Sequence, residues 1–393
     1  MMIKGFRFSA VEAAIKKPGR KDLAMILSEV PAACAATFTS NKVKAAPVLL
    51  GQERVAGGIL RAVVVNSGNA NACTGNPGMA AARETAAFVA KELGVDEALI
   101  VPSSTGVIGV QLPMERIKTA IPGLIKGLDG GTLDDVAKAI MTTDTFAKMS
   151  VRQGVADGKP YTVAGVAKGA GMIRPDMATM LSFIVTDAAV DADFLRQSFR
   201  AAVNASFNCI TVDNDMSTND TALVMANGMA GNAPISSASP DAGQFAELLS
   251  GVALDLAKAI VRDGEGATKF VTINVSGAVS DADARLAAMA VANSPLVKTA
   301  FFGQDANWGR ILAAVGYSGA AVDQTQVSLR FDDVLMVSGG VFVGGDAEKK
   351  GSEVLKKPEF KVNIDLALGT GRSTVYTSDF SYDYVKINAD YRT

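Results

Sequence analysis

The sequence predicts a layered α/β or α+β fold, in which sheets pack against helices. Segments with the alternating character of strands stand beside long helical segments, a combination typical of layered architectures. No GxGxxG motif occurs in the 393 residues, so a parallel dinucleotide-binding sheet is not indicated. A chain of this length can bury a large core and indicates about two domains.

The first half of the chain is expected to alternate between strands and helices. Ala62–Asn66 is an apolar run, which predicts a buried strand, and the alanine- and glutamate-rich segment Gly78–Leu93 predicts a helix. Leu99 begins a strand that leads into the loop Ser103-Ser-Thr-Gly106. The elements that follow are two short helices near Met114–Leu128 and Leu133–Met141, and a hairpin over Lys148–Val166 whose turn is Asp157-Gly158.

The second half continues this alternation and then becomes mostly strand-like. Asp191 is a favourable helix cap, which predicts a helix over Ala192–Asn204, and a long helix is expected over Ser239–Val261. One more helix is expected over Asp281–Val291. The expected strands are Thr179–Thr186, Cys209–Val212, Lys269–Val275, Val327–Phe331, Val341–Val343, Phe360–Leu366 and Ser373–Tyr376.

Composition and charge argue against several classes of function. Hydrophobic residues make up 49% and charged residues 20%, as in an ordinary globular protein, and the net charge is −2. This balance argues against nucleic acid or an anionic membrane as the main partner. No apolar run reaches the ~18 residues of a membrane span and no targeting segment is indicated, so we expect a cytoplasmic protein.

Neither a zinc site nor a disulfide framework is expected. The chain contains no histidine, and its three cysteines are far apart and form no CxxC pair. Asp213, Asp215 and Asp220 look like metal ligands at first sight, but the glycine and glutamate of an EF-hand are missing. A magnesium site and the commoner capping and turn roles both remain open for these aspartates.

The segment Lys168-Gly-Ala-Gly-Met-Ile-Arg-Pro-Asp-Met-Ala-Thr-Met-Leu181 carries the sharpest functional signal. It runs from a glycine-rich turn through a proline to the Ala178–Thr179 bond. A threonine hydroxyl needs a base, and in a chain without histidine that base could be the α-amine that self-cleavage would free on the same threonine. A plain turn that enters a strand explains the same residues, so both interpretations remain open.

Other polar segments also allow two interpretations. Ser103–Gly106 could direct a hydroxyl and backbone N–H groups at an oxyanion, or could be a plain turn. Asn66–Gly75 could hold a phosphate, but no Walker lysine follows it, so a loop closed by amide hydrogen bonds is favoured. Taken alone, Lys168 and Glu265 would be ordinary solvated charges.

Together these segments resemble the ornithine acetyltransferases of arginine biosynthesis, also called glutamate N-acetyltransferases. The resemblance covers essentially the whole chain, because further blocks similar to those of the family occur in the family's order. These blocks are Asn66-Ser-Gly-Asn-Ala-Asn-Ala-Cys-Thr-Gly75, Ser104-Thr-Gly106, Thr142-Thr-Asp-Thr145, Ser217-Thr-Asn-Asp220, Asp263-Gly-Glu-Gly-Ala-Thr-Lys269, Asn307-Trp-Gly-Arg310 and the ending Asn388–Thr393.

The resemblance implies a fold, a chain organisation and an assembly. The fold would be a layered α/β (α+β) sandwich like that of self-processing aminopeptidases, with mixed sheets and helices on the outer faces. Autocleavage between Ala178 and Thr179 would give an α chain, residues 1–178, and a β chain, residues 179–393. The two kinds of chain would pair in a heterotetramer.

The resemblance also assigns roles to residues of this sequence. Thr179 matches the family's nucleophile, and Thr105 and Gly106 match the pair that stabilises the oxyanion. Asn214 stands where the family often has glycine, and asparagine tolerates the same left-handed backbone. The positions that contact substrate in the family correspond to Thr145, Lys168, Thr179, Glu265, Asn388 and Thr393.

The implied activity is an acyl transfer between two amino acids. Acetyl would pass from N2-acetylornithine to glutamate by a ping-pong mechanism through acetylated Thr179, without a cofactor or metal. Acetyl-CoA could be a second acetyl donor, which would make the enzyme bifunctional. Two other functions remain open: a self-processing N-terminal-nucleophile aminopeptidase or amidohydrolase, and a non-catalytic protein that binds an amino acid.

Overall fold

The computed structural model describes residues 3–174 and 180–390 of the chain. Ala178, Thr179 and Thr393, which the resemblance singles out, lie outside the described residues. The strands are β1 (Phe6–Val11), β2 (Leu23–Phe38), β3 (Ile59–Asn66), β4 (Ile100–Ser104), β5 (Lys148–Ala156), β6 (Lys159–Lys168), β7 (Leu181–Thr186), β8 (Ile210–Thr211), β9 (Thr221–Ala226), β10 (Phe270–Ala278), β11 (Ser328–Phe331), β12 (Val334–Ser338), β13 (Val341–Phe342), β14 (Glu359–Asp365) and β15 (Gly371–Ser378).

The other regular elements of the backbone are mainly α-helices. They are α1 (Ala46–Val55), α2 (Gly75–Leu93), α3 (Met114–Lys126), α4 (Leu133–Ala139), α5 (Ala192–Asn204), α6 (Ala242–Arg262), α7 (Asp281–Asn293), α8 (Pro295–Phe302), α9 (Trp308–Gly316), α10 (Ala347–Leu355) and α11 (Tyr382–Ala389). Within residues 3–174 and 180–390, none of them has both the length and the apolarity of a membrane span.

The chain divides into two compact units, and each unit contains one sheet. The first unit comprises Met1–Asn208 and Asp215–Ile260, and the second comprises Cys209–Asn214 and Val261–Thr393. The implied cleavage point falls within the sequence range of the first unit. The cleavage and the division into α and β chains remain predictions.

The sheet of the first unit is mixed, as the resemblance implies. Its order is β4-β3-β2-β9-β7-β6-β5, with β1 paired to β2. Strand β3 runs parallel to β4 and β7 runs parallel to β9, whereas the other neighbours are antiparallel. The predicted hairpin is confirmed, because β5 and β6 pair across a turn in which Asp157 and Gly158 both have positive φ.

Helices cover both faces of this sheet because its central strands are apolar on both sides. Leu23 and Met25 of β2 belong to a core that includes side chains of α2 and α3. The alternate residues, Ala24 and Ile26, belong to a second core that includes side chains of α4. Helices on the outer faces of a mixed sheet, as predicted, are therefore observed in the first unit.

The second unit is built around a second mixed sheet, with the order β13-β12-β11-β14-β10-β15-β8. Strand β10 is parallel to β14, and β15 is parallel to β8. Alternate residues of β10, Val271, Ile273 and Val275, are buried in one core with side chains of α7 and α9. The buried side of α7 is largely alanine, which lets this helix approach the sheet closely.

Several elements of the fold, such as β1, α1 and α9, were not expected from the sequence, and for two parts of the fold the reason is visible. The N-terminal strand β2 was not indicated, and its pairing with β3 shifts register between Leu27 and Ala32, which interrupts the alternation that marks a strand. The C-terminal third, expected to be mostly strands, also contains α10 and α11. Helix α11 has eight residues and no buried side chain, and so short a segment shows too little periodicity to reveal a helix in the sequence.

Candidate functional site

Thr105 and Gly106 follow the end of β4 and lie directly against the loop that follows β3. The Thr105 N–H donates to the Asn66 carbonyl oxygen at 3.0 Å. Gly106 has a φ of +134°, and a Cβ at this position would lie 2.3 Å from the Gly68 carbonyl carbon and 2.4 Å from the Asn69 nitrogen. Both the backbone conformation and the close approach therefore require glycine at this position.

Two hydrogen-bond donors remain available at this turn. Within the described part of the chain, no acceptor is found for the Gly106 N–H. The Thr105 Oγ1 accepts a hydrogen bond from the Lys168 Nζ at 3.2 Å, which leaves the hydroxyl hydrogen of Thr105 free to donate elsewhere. A backbone N–H and a hydroxyl on adjacent residues are suitable donors for an oxyanion.

The loop after β3 is held by its own amide side chains. The Asn66 Nδ2 donates to the Asn69 carbonyl oxygen at 2.8 Å, and the Asn71 Nδ2 donates to the Gly78 carbonyl oxygen at 2.9 Å. The Asn66 Oδ1 accepts from the Ser104 Oγ at 2.6 Å. The interpretation of this segment as an amide-bonded loop is confirmed, and its role is to support the Thr105–Gly106 turn.

Lys168 is the last residue of β6, and it is only 4% exposed. Besides its bond to Thr105, its Nζ donates to the Thr142 Oγ1 at 2.9 Å. Taken alone in the sequence, Lys168 would be a solvated charge, and that interpretation is wrong. Because β6 ends beside the Thr105–Gly106 turn, the structure brings together three of the residues that the resemblance selects.

Asp144 compensates the buried positive charge near this turn. Its Oδ1 accepts from the Lys148 Nζ and from the Gly169 N–H, both at 2.7 Å, and its Oδ2 accepts from the Thr142 N–H at 2.9 Å. Burial by itself would raise the pKa of Asp144, but the ammonium groups of Lys168 and Lys148 lower it to about 2. Asp144 is therefore a carboxylate at neutral pH.

Asp144 has a structural role that the sequence did not reveal. It lies inside the block Thr142-Thr-Asp-Thr145, whose only signal in the sequence is its resemblance to a block of the ornithine acetyltransferases. Thr145, a proposed substrate contact, is the next residue and is exposed. The signal that could have identified Asp144 is a carboxylate placed four residues before a lysine, Lys148, that opens the strand β5.

Asn219 ties the segment before β9 to the same turn. Its Nδ2 donates to the carbonyl oxygens of Ala70 at 2.6 Å and Ser104 at 2.8 Å. The following residue, Asp220, is 1% exposed, and its Oδ1 accepts the Met180 N–H at 2.7 Å.

Within residues 3–174 and 180–390, no three carboxylate, cysteine or histidine side chains are placed to share a metal ion.

The second unit brings together two other residues that the resemblance selects. The Asn388 Nδ2, on α11, donates to the Glu265 Oε2 at 2.9 Å. Glu265 is 8% exposed, so the interpretation of this residue as a solvated charge is wrong. Gly266 has a φ of +66°, and a Cβ there would lie 2.4 Å from the Tyr384 nitrogen, so glycine permits the close packing of this loop against α11. The chain is thus helical up to Ala389.

Asn214 adopts the backbone conformation expected where the family often has glycine. Its φ is +62°, the left-handed conformation that glycine and asparagine share. The roles of Thr179 and Thr393, and the cleavage after Ala178, fall on residues outside those described and remain predictions. So do the substrate contacts of Thr145, Lys168, Glu265 and Asn388.

The family relationship is clear from comparison with known proteins. The model of the ArgJ family matches residues 7–393. The chain is 67% identical over 393 residues to the arginine biosynthesis bifunctional protein ArgJ of Geobacter sulfurreducens, with 100% of both chains covered. It is 58% identical over 391 residues to the protein of the same name from Syntrophotalea carbinolica, covering 100% of this chain and 99% of the relative.

A solved structure agrees with this relationship. The crystal structure of the arginine biosynthesis bifunctional protein ArgJ from Bacillus halodurans is similar with a TM-score of 0.52 and 42% sequence identity, over 54% of this chain and 99% of that chain. The predicted layered fold, the resemblance and the prediction of an acyltransferase are confirmed together. The chain belongs to the ArgJ family.

Proposed function

We propose that the chain transfers acetyl from N2-acetylornithine to glutamate by a ping-pong mechanism through an acetyl ester on Thr179. The proposal is supported by membership of the ArgJ family, whose relatives are named as bifunctional proteins of arginine biosynthesis. The observation that carries it is the hydrogen bond between Lys168 and Thr105, which joins residues 63 positions apart. It lies beside the Gly106 N–H, for which the described residues provide no acceptor. The Thr105 hydroxyl and the Gly106 N–H form a donor pair suited to the oxyanion of an acyl transfer.

The first step of the proposal is self-cleavage. The Thr179 Oγ1 attacks the carbonyl carbon of Ala178, the bond from that carbon to the Thr179 nitrogen breaks, and the nitrogen takes up the hydroxyl proton. Water then hydrolyses the resulting ester. The products are an α chain ending at Ala178 and a β chain whose first residue, Thr179, has a free amine that can serve as the base.

Acetyl transfer then occurs in two halves. The Thr179 Oγ1 attacks the acetyl carbon of N2-acetylornithine and passes its proton to the α-amine, which gives a proton to the departing ornithine nitrogen. The amine of glutamate attacks the acetyl ester, and Thr179 recovers its proton as N-acetylglutamate leaves. In each half the Thr105 hydroxyl and the Gly106 N–H donate to the oxyanion, and one such donor is worth roughly 10²–10³ in kcat.

The remaining parts of the proposal concern binding and assembly. Thr145, Lys168, Glu265, Asn388 and Thr393 are the proposed substrate contacts. The α and β chains assemble as a heterotetramer in the cytoplasm. No cofactor is required, and acetyl-CoA is proposed as an additional acetyl donor.

The test is an assay of acceptor dependence. We expect sustained release of ornithine from N2-acetylornithine only when glutamate is present, with N-acetylglutamate formed in equal amount. Equal release without glutamate would favour the aminopeptidase or amidohydrolase, because water would then be the acceptor. An uncut chain that binds ornithine without turnover would favour the non-catalytic protein. A parallel reaction with acetyl-CoA and glutamate tests the second donor.

Gly106→Ala is expected to reduce transfer by about 10²-fold or more, the effect of losing an oxyanion donor. The added Cβ would push the turn away from Gly68 and Asn69 and so displace the N–H. Gly109→Ala is the matched control, since Gly109 also has a positive φ of +85° but nothing within 4 Å of its added Cβ. The kcat per cleaved molecule and the thermal unfolding of both variants are measured. Equal losses in the two variants would mean that backbone strain, and not the position of the N–H, is responsible.

A further inference from the structure

Asp220 lies where it can control the residue that follows Thr179. It immediately precedes β9, and β7 and β9 pair in parallel with Leu181 opposite Thr221. The backbone of Met180 is held at both its N–H and its carbonyl group: the N–H donates to the Asp220 Oδ1 at 2.7 Å, and the carbonyl oxygen accepts from the Thr221 N–H at 3.1 Å. The Met180 nitrogen belongs to the peptide bond that joins Met180 to Thr179.

The second oxygen of the same carboxyl group is unusual. The Asp220 Oδ2 is buried, and it has no hydrogen-bond partner among residues 3–174 and 180–390. The nearby Thr39 hydroxyl lowers the pKa of Asp220, but its hydrogen bond goes to the Ser217 carbonyl oxygen at 2.8 Å. A buried polar atom without a partner is costly, and in a native protein such an atom calls for an explanation. The Asp187 carboxyl, at the other end of β7, is also buried, but each of its oxygens accepts a backbone N–H, from Lys4 and from Thr162.

We propose that Asp220 is a positioning residue for the nucleophile: its Oδ1 anchors the amide after Thr179, and its Oδ2 accepts a hydrogen bond from the α-amine that cleavage frees. This inference rests on the proposed function, since it takes Thr179 as the nucleophile. Covalent geometry favours it, because the nitrogens of two consecutive residues are separated by only three bonds. The carboxyl would play toward the ammonium of Thr179 the role that the aspartate of a Ser-His-Asp triad plays toward imidazolium.

The electrostatics of Asp220 agree with a carboxyl group that gains its cationic partner only after cleavage. Burial raises the pKa of Asp220 well above its ordinary value, against the opposing effects of the Met180 N–H, the Thr39 side chain and the Lys168 ammonium. In the uncut chain this shift of the pKa favours the protonated carboxyl group, whose burial costs less than that of a carboxylate. After cleavage the α-amine of Thr179 supplies a cationic partner, and the carboxyl can ionise as the amine gains a proton.

The first test is Asp220→Asn, which keeps an oxygen that can accept the Met180 N–H but cannot ionise. We expect self-cleavage within about threefold of wild type and transfer lowered by about 10- to 100-fold, the scale of a slightly displaced nucleophile. The acidic limb of the kcat/KM profile should move to lower pH, because an amine without a carboxylate neighbour is easier to deprotonate. Asp187→Asn is the matched control and should leave that limb in place. Wild-type rates and an unshifted limb in Asp220→Asn would overturn the inference.

A second measurement does not require a stable Asp220 variant. The infrared band of a protonated carboxyl group should be present in uncut Thr179→Ala at neutral pH and absent from cleaved wild type. A band that is present in both proteins, or in neither, would overturn the inference. A wild-type chain that stays whole would instead overturn the proposed function, and the inference with it, so the two failures are distinguishable.

Discussion

Thr179→Ala is expected to remain a single chain and to lose more than about 10⁴-fold in acetyl transfer, the scale on which loss of a nucleophile acts. Alanine lacks the Oγ1 that would attack both the Ala178 carbonyl and the acetyl group. Wild type should give two fragments, residues 1–178 and 179–393, joined without a covalent bond. Mass spectrometry under denaturing conditions gives the fragment masses, and N-acetylglutamate formation gives the rate.

Two further variants make this result specific. Thr179→Ser keeps a hydroxyl and should still be cleaved and transfer acetyl. Thr119→Ala removes a hydroxyl that only donates to the Glu115 carbonyl oxygen, on an exposed face of α3, and should behave as wild type. An uncut Thr179→Ala protein that transferred acetyl at the normal rate would show that the nucleophile is another residue.

Asp144→Ala is expected to lower the free energy of unfolding by about 3–5 kcal/mol at neutral pH. Neither the Asp144 nor the Lys148 side chain is exposed to solvent, and the variant leaves the Lys148 ammonium buried without its carboxylate. It also removes the acceptor of the Gly169 N–H, at the end of β6 next to Lys168. Chemical denaturation gives the stability, and the same preparation should show reduced transfer.

The contribution of the Asp144 carboxylate to the free energy of unfolding depends on pH in a definite direction. The pKa of Asp144 falls from an ordinary 3.8 to about 2 in the folded chain. The ionised carboxylate therefore stabilises the folded state above about pH 4, and this contribution is lost as the pH falls from about 4 to about 2. The difference in unfolding free energy between wild type and Asp144→Asn should shrink over that range.

Controls separate the buried pair from ordinary ion pairs. Asp134→Ala breaks an exposed pair with Lys138, in which the two atoms are 2.6 Å apart, and should change stability little because solvent screens such pairs. Asp144→Ala combined with Lys148→Met should recover part of the lost stability, since the double variant also removes the buried ammonium. If Asp144→Ala were as mild as Asp134→Ala, the buried pair would contribute nothing to folding.

The parts of the site that were predicted from sequence are those carried by contiguous motifs. Thr105-Gly106 and the segment from Lys168 to Thr179 each combine a distinctive backbone with a reactive group, so a short stretch of sequence is informative. Asp144 and Asp220 were missed in these roles because one partner of each is distant: Gly169 lies 25 residues from Asp144, and Met180 lies 40 residues from Asp220. The Asp220 carboxyl accepts the N–H of Met180, 40 residues earlier in the chain, and no local pattern encodes that contact.

The fold shows the same difference between features encoded by neighbouring residues and features that depend on distant partners. The hairpin of β5 and β6 and the helix α5 were predicted because turn and cap residues act locally, through Asp157-Gly158 and Asp191. Strand β2 was missed because its pairing with β3 shifts register, and α11 because it buries no side chain. Elements that depend on distant partners for their stability leave little trace in their own residues.

The amino-acid sequence by itself determined the layered class of fold, the absence of histidine and the family resemblance, because composition and contiguous motifs are local properties. Only the tertiary structure decided which charges are buried and how they are compensated. Lys168 and Glu265 would be solvated in isolation, yet each is buried beside a partner from a distant part of its own unit, Thr105 and Asn388 respectively. The physical reason is that the cost of burying a charge, and its repayment by hydrogen bonds, depend on distances that exist only after the chain has folded.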